Sequence, residues 1–537
     1  MNHQQPLQAR GPERIVGQMI RWAAALVFSG VIILLLTCSH VSYVTKAGYA
    51  VRNVSKLLVA ALVAAGIVLY AIHCPVKRAA LGMHQKMKYV SCGLLLVQLY
   101  ILRNIFFLTD WDPKVVNDIV KMILSGEGIT GWYWSYVPTY PNNLMLIILE
   151  TFFLRLNQLC GIFTGDYALM TMCLLNCLIA NYVCYQTYFV IFEKTQSIRG
   201  AILGYILCVA LVGISPWMVI PYSDALGLLF PILILKIHAK AVHTKWKLCI
   251  KWGAIAAFAA VGYLIKPQCI IIFIAIFLIQ FFSNISWRNI LRLVALFMAF
   301  ICFFMAINAL LNLIAENMDI SRDSECRLGW QHFLMMGLNY EQNGVYSDED
   351  VQFSISIPTA EERNAQNLAV AKERVSELNW RLLKHWAKKL LCLFNDGMFA
   401  WGMEGTFYYQ LFDAPNQLAA PFLRSLFYTN GSRYTTYASI IHTVWLGVLL
   451  LVLIGCILDK KVTKQTSIIR LSLLGLVMFE LLFEVRARYL FTYVPFFIVL
   501  AVQGLQSVKT RLEAMMPAKR KNALTMTCCP EKTNQSE

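Results

Sequence analysis

The chain has 537 residues, of which 58% are hydrophobic and only 14% charged. A soluble globular domain carries roughly 25% charged residues, so this composition excludes an ordinary water-soluble enzyme and points to a membrane protein. The net charge of +17 does not argue for nucleic acid, because Lys and Arg fall in short segments between apolar runs, as the positive-inside rule expects.

An apolar run of about 17–25 residues spans a ~30 Å hydrocarbon core. On that measure the sequence predicts an all-α polytopic membrane protein with about twelve transmembrane helices. They are read at 22–43, 57–73, 90–108, 168–191, 201–216, 220–237, 252–265, 268–283, 291–314, 438–458, 470–485 and 489–507. Arg10, Arg14 and Arg21 lead into the first run, which is too long for a signal-peptide core and is read as a retained helix. Most of the sixteen cysteines, such as Cys173, Cys177, Cys184, Cys208 and Cys302, lie inside apolar runs as small hydrophobes. Only Cys326 and Cys392 fall in the large loop, so no disulfide framework is expected.

The segment 143–163 is also apolar, and topology turns on it. If it does not cross, the basic segments Lys77–Lys88, Lys194–Arg199, Lys236–Lys251, Arg288–Arg292, Lys460–Arg470 and Lys509–Lys521 share one side with both termini. That side is then cytoplasmic. Glu150, Arg155 and Asn157 are costly in lipid, so the segment is read as an outer juxtamembrane helix. The loop with Lys46, Arg52 and Lys56 is basic too and runs against this pattern. The expected organisation is 1–108 (an N-terminal segment and three spans), 109–167 (a first large outer loop with juxtamembrane helices), and 168–314 (central spans). There follow 315–437 (an extracytoplasmic soluble loop), 438–508 (the last three spans), and 509–537 (a polar cytoplasmic tail). Within the large loop, 359–394 is read as one amphipathic helix opened by a Thr359–Glu362 capping box.

Chemistry-bearing residues gather at the outer ends. Asp110 and Asp112 follow the third span directly, and a carboxylate there can take a proton from a hydroxyl acceptor while a lipid-borne donor lies alongside. The plain alternative for Asp112 is a helix N-cap, since Val115, Val116, Ile119, Val120 and Ile123 continue an apolar period. Asp224 opens a later span and reads equally as a cap. Lys266 precedes Pro267 at an outer turn, where an interfacial snorkelling lysine is the simpler role. Arg486 and Arg488 stand outward against the charge bias. A phosphate would offset them through paired hydrogen bonds, and Glu480 or Glu484 would serve as structural partners instead. Arg103, inside the third span, also needs a partner. Trp111, Trp132, Tyr133, Trp134, Tyr136 and Tyr140 suit an interfacial belt or stacking on sugar rings. No phosphate-binding glycine loop, nucleophile elbow or zinc motif is visible, and no metal cluster is expected unless Asp110, Asp112 and Asp224 converge.

These residues carry a resemblance. The layout is similar to the GT-C glycosyltransferases, which use sugars on polyprenyl phosphate and include the protein O-mannosyltransferases and the lipid A aminoarabinose transferases. Asp112-Pro113 before Lys121-Met122 takes the place of the acid after a span. Tyr140-Pro141-Asn142-Asn143-Leu144 takes the place of the Tyr-Pro-Pro-like step. Ser215-Pro216 with Asp224, and Arg488-Tyr489-Leu490 with Pro495, match two further short motifs. Trp330-Gln331-His332 through Gly337-Leu338-Asn339 resembles a mainly Gram-positive branch of GT-C-like proteins. Pro113 stands where the family's second acid usually lies, and two spans precede the one leading into the acidic loop.

The resemblance implies inverting transfer of a hexose-like sugar from a polyprenyl-phosphate donor to a glycan, lipid or protein acceptor of the cell envelope. Asp112, or Asp110, would be the base. Asp224, Lys266, Arg486, Arg488 and Tyr489 would bind substrate and stabilise the leaving phosphate, and no cofactor is strictly needed. It implies a bacterial plasma membrane. A secondary transporter or lipid flippase, or a cell-wall glycan polymerase or ligase, remains open at this stage; the acids at one edge and the absence of two similar halves weigh against a transporter.

Overall fold

A computed structural model describes residues 11–38, 54–73, 80–405, 407–460 and 462–515. The basic loop with Lys46 and Arg52, the start of Lys77–Lys88, Arg10 and residues 516–521 of the Lys509–Lys521 segment lie outside the described residues, as does the side chain of Lys56.

The described chain opens with α1 (Pro12–Cys38), α2 (Val54–His73) and α3 (Ala80–Ile105), then a short strand β1 (Phe107–Thr109). Next come α4 (Trp111–Ser125), α5 (Tyr133–Thr139), α6 (Leu144–Cys160), α7 (Met170–Thr195) and α8 (Ile198–Cys208). The short α9 (Ser223–Gly227) precedes α10 (Leu229–Ala239), α11 (Lys245–Ile265), α12 (Ile271–Ser283) and the long α13 (Trp287–Asn317). Smaller helices α14 (Trp330–Gly337), α15 (Asp348–Ser356), α16 (Ala360–Leu378), α17 (Arg381–Phe394) and α18 (Trp401–Glu404) follow. Strand β2 (Tyr408–Leu411) and α19 (Ala419–Phe427) lead into α20 (Tyr434–Leu458), α21 (Lys464–Leu482) and α22 (Val494–Met515).

Eight of the described helices are long and apolar enough to cross a membrane: Pro12–Thr37, Pro141–Cys160, Gly165–Thr195, Lys245–Ile265, Trp287–Asn317, Tyr434–Leu458, Lys464–Leu482 and Ala487–Met515. Shorter apolar helices at Ala60–Leu69, Ile198–Gly213 and Pro267–Ser283 coincide with three of the other expected spans. The expected span 220–237 is instead two pieces, α9 and α10. The 90–108 run lies in α3, which also carries His84, Lys86, Lys88 and Arg103.

The segment read as a juxtamembrane helix has the length and apolarity of a crossing helix. Two of the three residues that argued against crossing, Glu150 and Asn157, find partners inside the chain. Glu150 is fully buried and accepts from Asn117 Nδ2 at 2.8 Å, while Asn157 bonds Phe163 through both backbone groups at 2.8 and 3.0 Å. Such bonds offset the cost that argued against crossing.

Burial separates centre from rim. The apolar window of the last crossing helix is 78% buried, that of α13 only 17%. So α22 forms the middle of the bundle against α20, α7 and α8, and α13 presents its apolar surface outward. At the α20–α22 crossing a side chain on Gly455 would meet Gly504 Cα at 2.8 Å, so small residues set how closely the two backbones approach.

The stretch between α13 and α20 folds onto the first loop. Strands β1 and β2 pair antiparallel with Phe107 opposite Leu411 and Leu108 opposite Gln410, and Asp110 N–H extends the pairing to Phe407 O at 2.7 Å. Leu328 N–H also bonds Thr139 O at 3.2 Å. The expected single helix 359–394 is broken at Asn379, whose φ of 42° no α-helix accommodates, giving α16 and α17. Half of the expected capping box forms. Thr359 Oγ1 accepts from Glu362 N–H at 3.3 Å, whereas Glu362 takes Gln366 and Glu325 accepts from the Ala360 N–H.

Candidate functional site

Six separated segments meet at one end of the bundle. α4 forms because Pro113 sits in the first turn, where its missing N–H has no intrahelical partner, and Val116, Ile119 and Val120 bury one face. Its first residue, Trp111, holds φ at 61°, a left-handed value that an indole-bearing residue rarely adopts. Asp112 lies inside the helix and its carboxylate turns to two phenols. Tyr136 donates to Oδ1 at 2.8 Å and Tyr222 to Oδ2 at 2.9 Å. Asn143 Nδ2 donates to the Tyr136 oxygen at 2.7 Å, and Tyr222 also reaches Asn143 Oδ1 at 3.4 Å. Burial first, then the Asp112 charge, pushes both phenols well above their ordinary range, which keeps them donors.

Asp224 is buried in the first turn of α9, two residues past the cap position. Its carboxylate pairs with Lys266, itself buried at the α11–α12 break, and with Arg488 Nη1 at 3.4 Å. Arg488 also pairs through Nε with Glu404 at 2.8 Å, and Arg486 pairs with Glu404 at 3.1 Å and with Glu484 at 3.0 Å. Tyr489 donates to Glu484 at 3.4 Å and lies under Lys266, 5.0 Å from Nζ to the ring centre. The Arg488 guanidinium sits over three rings: Trp111 at 4.7 Å, Tyr222 at 5.4 Å and Tyr489 at 5.4 Å. Tyr222 is therefore the link, bonded to Asp112 on one side and stacked beneath Arg488 on the other.

Of the residues expected from sequence, Asp112, Asp224, Lys266, Arg486, Arg488 and Tyr489 come together. Asp110 does not: it is exposed at the start of α4, with no side-chain cap bond, and enters the structure through its backbone. The three acids Asp110, Asp112 and Asp224 do not converge, and the described residues contain no cluster of three metal-binding side chains. The expectation that outward arginines need a bound phosphate meets a different arrangement, since Glu404, Glu484 and Asp224 already pair with them. Glu480 is buried but forms no ion pair with either arginine. The first-loop aromatics stack on one another, with Trp132–Tyr133 centroids at 4.7 Å and Tyr136–Tyr140 at 5.3 Å.

Glu404 is the residue that sequence reading missed. A half-buried Asp396 accepts from Met398 and Ala400 N–H at 2.8 and 2.6 Å, holding Phe399 and Ala400 at φ of 53° and 63°. That strained turn leads into α18 and delivers Glu404 to both arginines. The available signal was a lone acid in an otherwise apolar stretch, Met398 to Tyr409. On the other flank, buried Lys389 donates to the carbonyls of Gly337, Leu481 and Phe483 at 2.8, 3.0 and 2.6 Å, which fixes the chain just before Glu484. Burial lowers this ammonium to about 7. Gly344, at φ 72°, lies so close that a Cβ would meet the Lys389 stem at 2.9 Å.

Helices of this length and apolarity around an ionic cluster define a multi-pass integral membrane protein. Residues 16–509 match the family model described as conserved hypothetical integral membrane protein, and the chain belongs to that family. No curated protein and no solved structure matches it.

Proposed function

We propose that this protein is a membrane glycosyltransferase of GT-C type, moving a hexose-like sugar from a polyprenyl-phosphate donor to a glycan, lipid or protein acceptor in the cell envelope. The observation that carries the reading is the Tyr222 link, which sets a carboxylate held by two phenols beside a group of buried cations. Asp112 is then the base that takes the acceptor hydroxyl proton as the oxygen attacks the anomeric carbon. The bond from that carbon to the donor phosphate oxygen breaks, and its electron pair leaves on the phosphate. Arg488, Arg486 and Lys266 face that developing charge, and Tyr489 orients them. Because protein carboxylates already share these cations, phosphate must compete with Glu404 and Glu484 for them. Asp110, exposed and outside the network, takes a secondary place. No metal is required by this scheme. Both termini cytoplasmic and a bacterial plasma membrane belong to the same proposal.

A second reading has one observation behind it. Asp224, in the first turn of α9, meets Lys266 where the chain breaks between α11 and α12 at Lys266-Pro267, and paired charges at a helix break also serve transporters and flippases. The test is sugar transfer from radiolabelled polyprenyl-phosphate hexoses by the purified protein in lipid with an envelope acceptor. Labelled acceptor is the expected result. Absent transfer together with lipid or solute flux in sealed vesicles would replace the transferase reading.

A further inference from the structure

A second charged pocket, lined by residues that flank β1 and β2, shares no lining residue with the ionic cluster. It has a volume of about 300 Å³ and is lined by Arg103, Phe106, Tyr167, Phe412, Asp413 and Arg424, with Thr164 at its edge. Arg103 comes from the last turn of α3 and Arg424 from the last turn of α19. Arg424 is fixed: Nε donates to Asn104 O at 3.0 Å and Nη2 to Asp413 O at 3.3 Å. The Arg103 guanidinium forms no ion pair or hydrogen bond with any described residue. The Asp413 carboxylate, the one acid in the lining, pairs with neither arginine.

Three aromatic rings form the wall. Phe106 stacks on Phe412 at 5.4 Å, Tyr167 lies 4.5 Å from Phe412, and Phe106 is 6.0 Å from Tyr167. This wall is rigid and apolar, so the guanidiniums are the pocket's means of recognition. Two guanidiniums around a small cavity favour a phosphate, which takes paired hydrogen bonds from each.

The surroundings indicate where that phosphate comes from. Leu96, Tyr100 and Arg103 occupy one face of α3, spaced by four and then three residues. Leu96 is 69% exposed and Tyr100 51%, an apolar track rising to the unpaired guanidinium. Ile162, in the pocket lining, is 66% exposed, and Leu159, near it in the chain, is 82% exposed. A free phosphate gains nothing from these surfaces, whereas a lipid lays its chains along them. The cavity has room for a headgroup and not for the chains, which fits that division.

We propose that this pocket binds the phosphate headgroup of an anionic membrane lipid, with Arg103 and Arg424 as the ligating side chains and the exposed face of α3 carrying an acyl chain. The site is separate from the cluster around Asp112 and does not depend on the function assigned to it.

The full chain, delipidated in neutral detergent, is titrated with phosphatidylglycerol, phosphatidylcholine or inorganic phosphate, with bound lipid counted by native mass spectrometry. Phosphatidylglycerol is expected to bind at least tenfold more tightly than phosphatidylcholine, and Arg103→Gln to remove that preference. Arg103 forms no hydrogen bond or ion pair with any described residue, so the variant's lipid-free melting temperature should match the native protein's, and Arg103→Lys should keep part of the preference. Equal binding of phosphatidylglycerol by Arg103→Gln and native protein, or equal binding of the two lipids, overturns the proposal. Competition by inorganic phosphate at matching concentration overturns the lipid as the source.

Discussion

The Arg488 guanidinium lies 4.7 Å from the centre of the Trp111 indole, and Trp111 is held there at φ 61°. A left-handed conformation costs a residue with a Cβ about 1–2 kcal/mol, so the surrounding structure maintains a strained residue where it touches the ionic cluster. Trp111→Gly relieves the backbone and removes the ring. The expected result is little change in melting temperature with a loss of transfer of tenfold or more; full activity would show that the ring has no part in the site.

Glu404 bridges two arginines while itself nearly buried. Removing one partner of a buried ion pair costs about 3–5 kcal/mol, because the other charge is left uncompensated. Glu404→Gln should therefore lower the melting temperature by several degrees, and the double variant with Arg488→Met should recover part of the loss. A double-mutant cycle in detergent checks this. Simple additivity of the two losses would mean that Glu404 and Arg488 are not coupled.

Tyr136 and Tyr222 each donate one hydrogen bond to Asp112. A bond to a charged group is worth about 1.5–3 kcal/mol, and the two phenols act on different oxygens. Tyr136→Phe and Tyr222→Phe should each slow transfer about tenfold or more. Tyr222→Phe should be the worse, because the same side chain also supports Arg488. Steady-state rates with matched protein yields decide the ranking.

Acid should loosen the α14–α17 region first. Burial holds His332 and His385 at about 4 against an ordinary value near 6.5. His332 Nδ1 meets Ser354 Oγ at 2.7 Å, and His385 Nε2 meets Gly337 O at 2.9 Å beside Lys389. A depressed histidine binds fewer protons folded than unfolded, so its contribution is complete above pH 6.5 and is lost as pH falls toward 4. The loss is on the order of 3 kcal/mol per histidine. Hydrogen exchange between pH 7 and 4.5 should show earlier opening of α14 and α17 than of α22. Uniform opening would count against this origin.

The sequence made the membrane class legible because apolar run length is a one-dimensional property. It also pointed to Asp112, Asp224, Lys266, Arg486 and Arg488, since a charge at the end of an apolar run stands out without any knowledge of contacts. Long-range pairing was not visible in this way. Glu404 lies 82 residues from Arg486, and only the Asp396-held turn brings it there. The span count was hard for the same reason. α9 and α10 together read as one apolar run, and nothing in that run shows that Asp224 at its start faces Lys266, 42 residues away in the chain. In α6, Glu150 looked prohibitive in lipid until Asn117, from another helix, supplied its partner.

The central claim is that Asp112, held by Tyr136 and Tyr222, is the base of a sugar transfer. The most direct measurement compares Asp112→Asn with Asp110→Asn in the polyprenyl-phosphate hexose assay, each at native melting temperature and yield. The account predicts that Asp112→Asn abolishes transfer while Asp110→Asn keeps most of it. Transfer that survives Asp112→Asn and disappears with Asp110→Asn would contradict it.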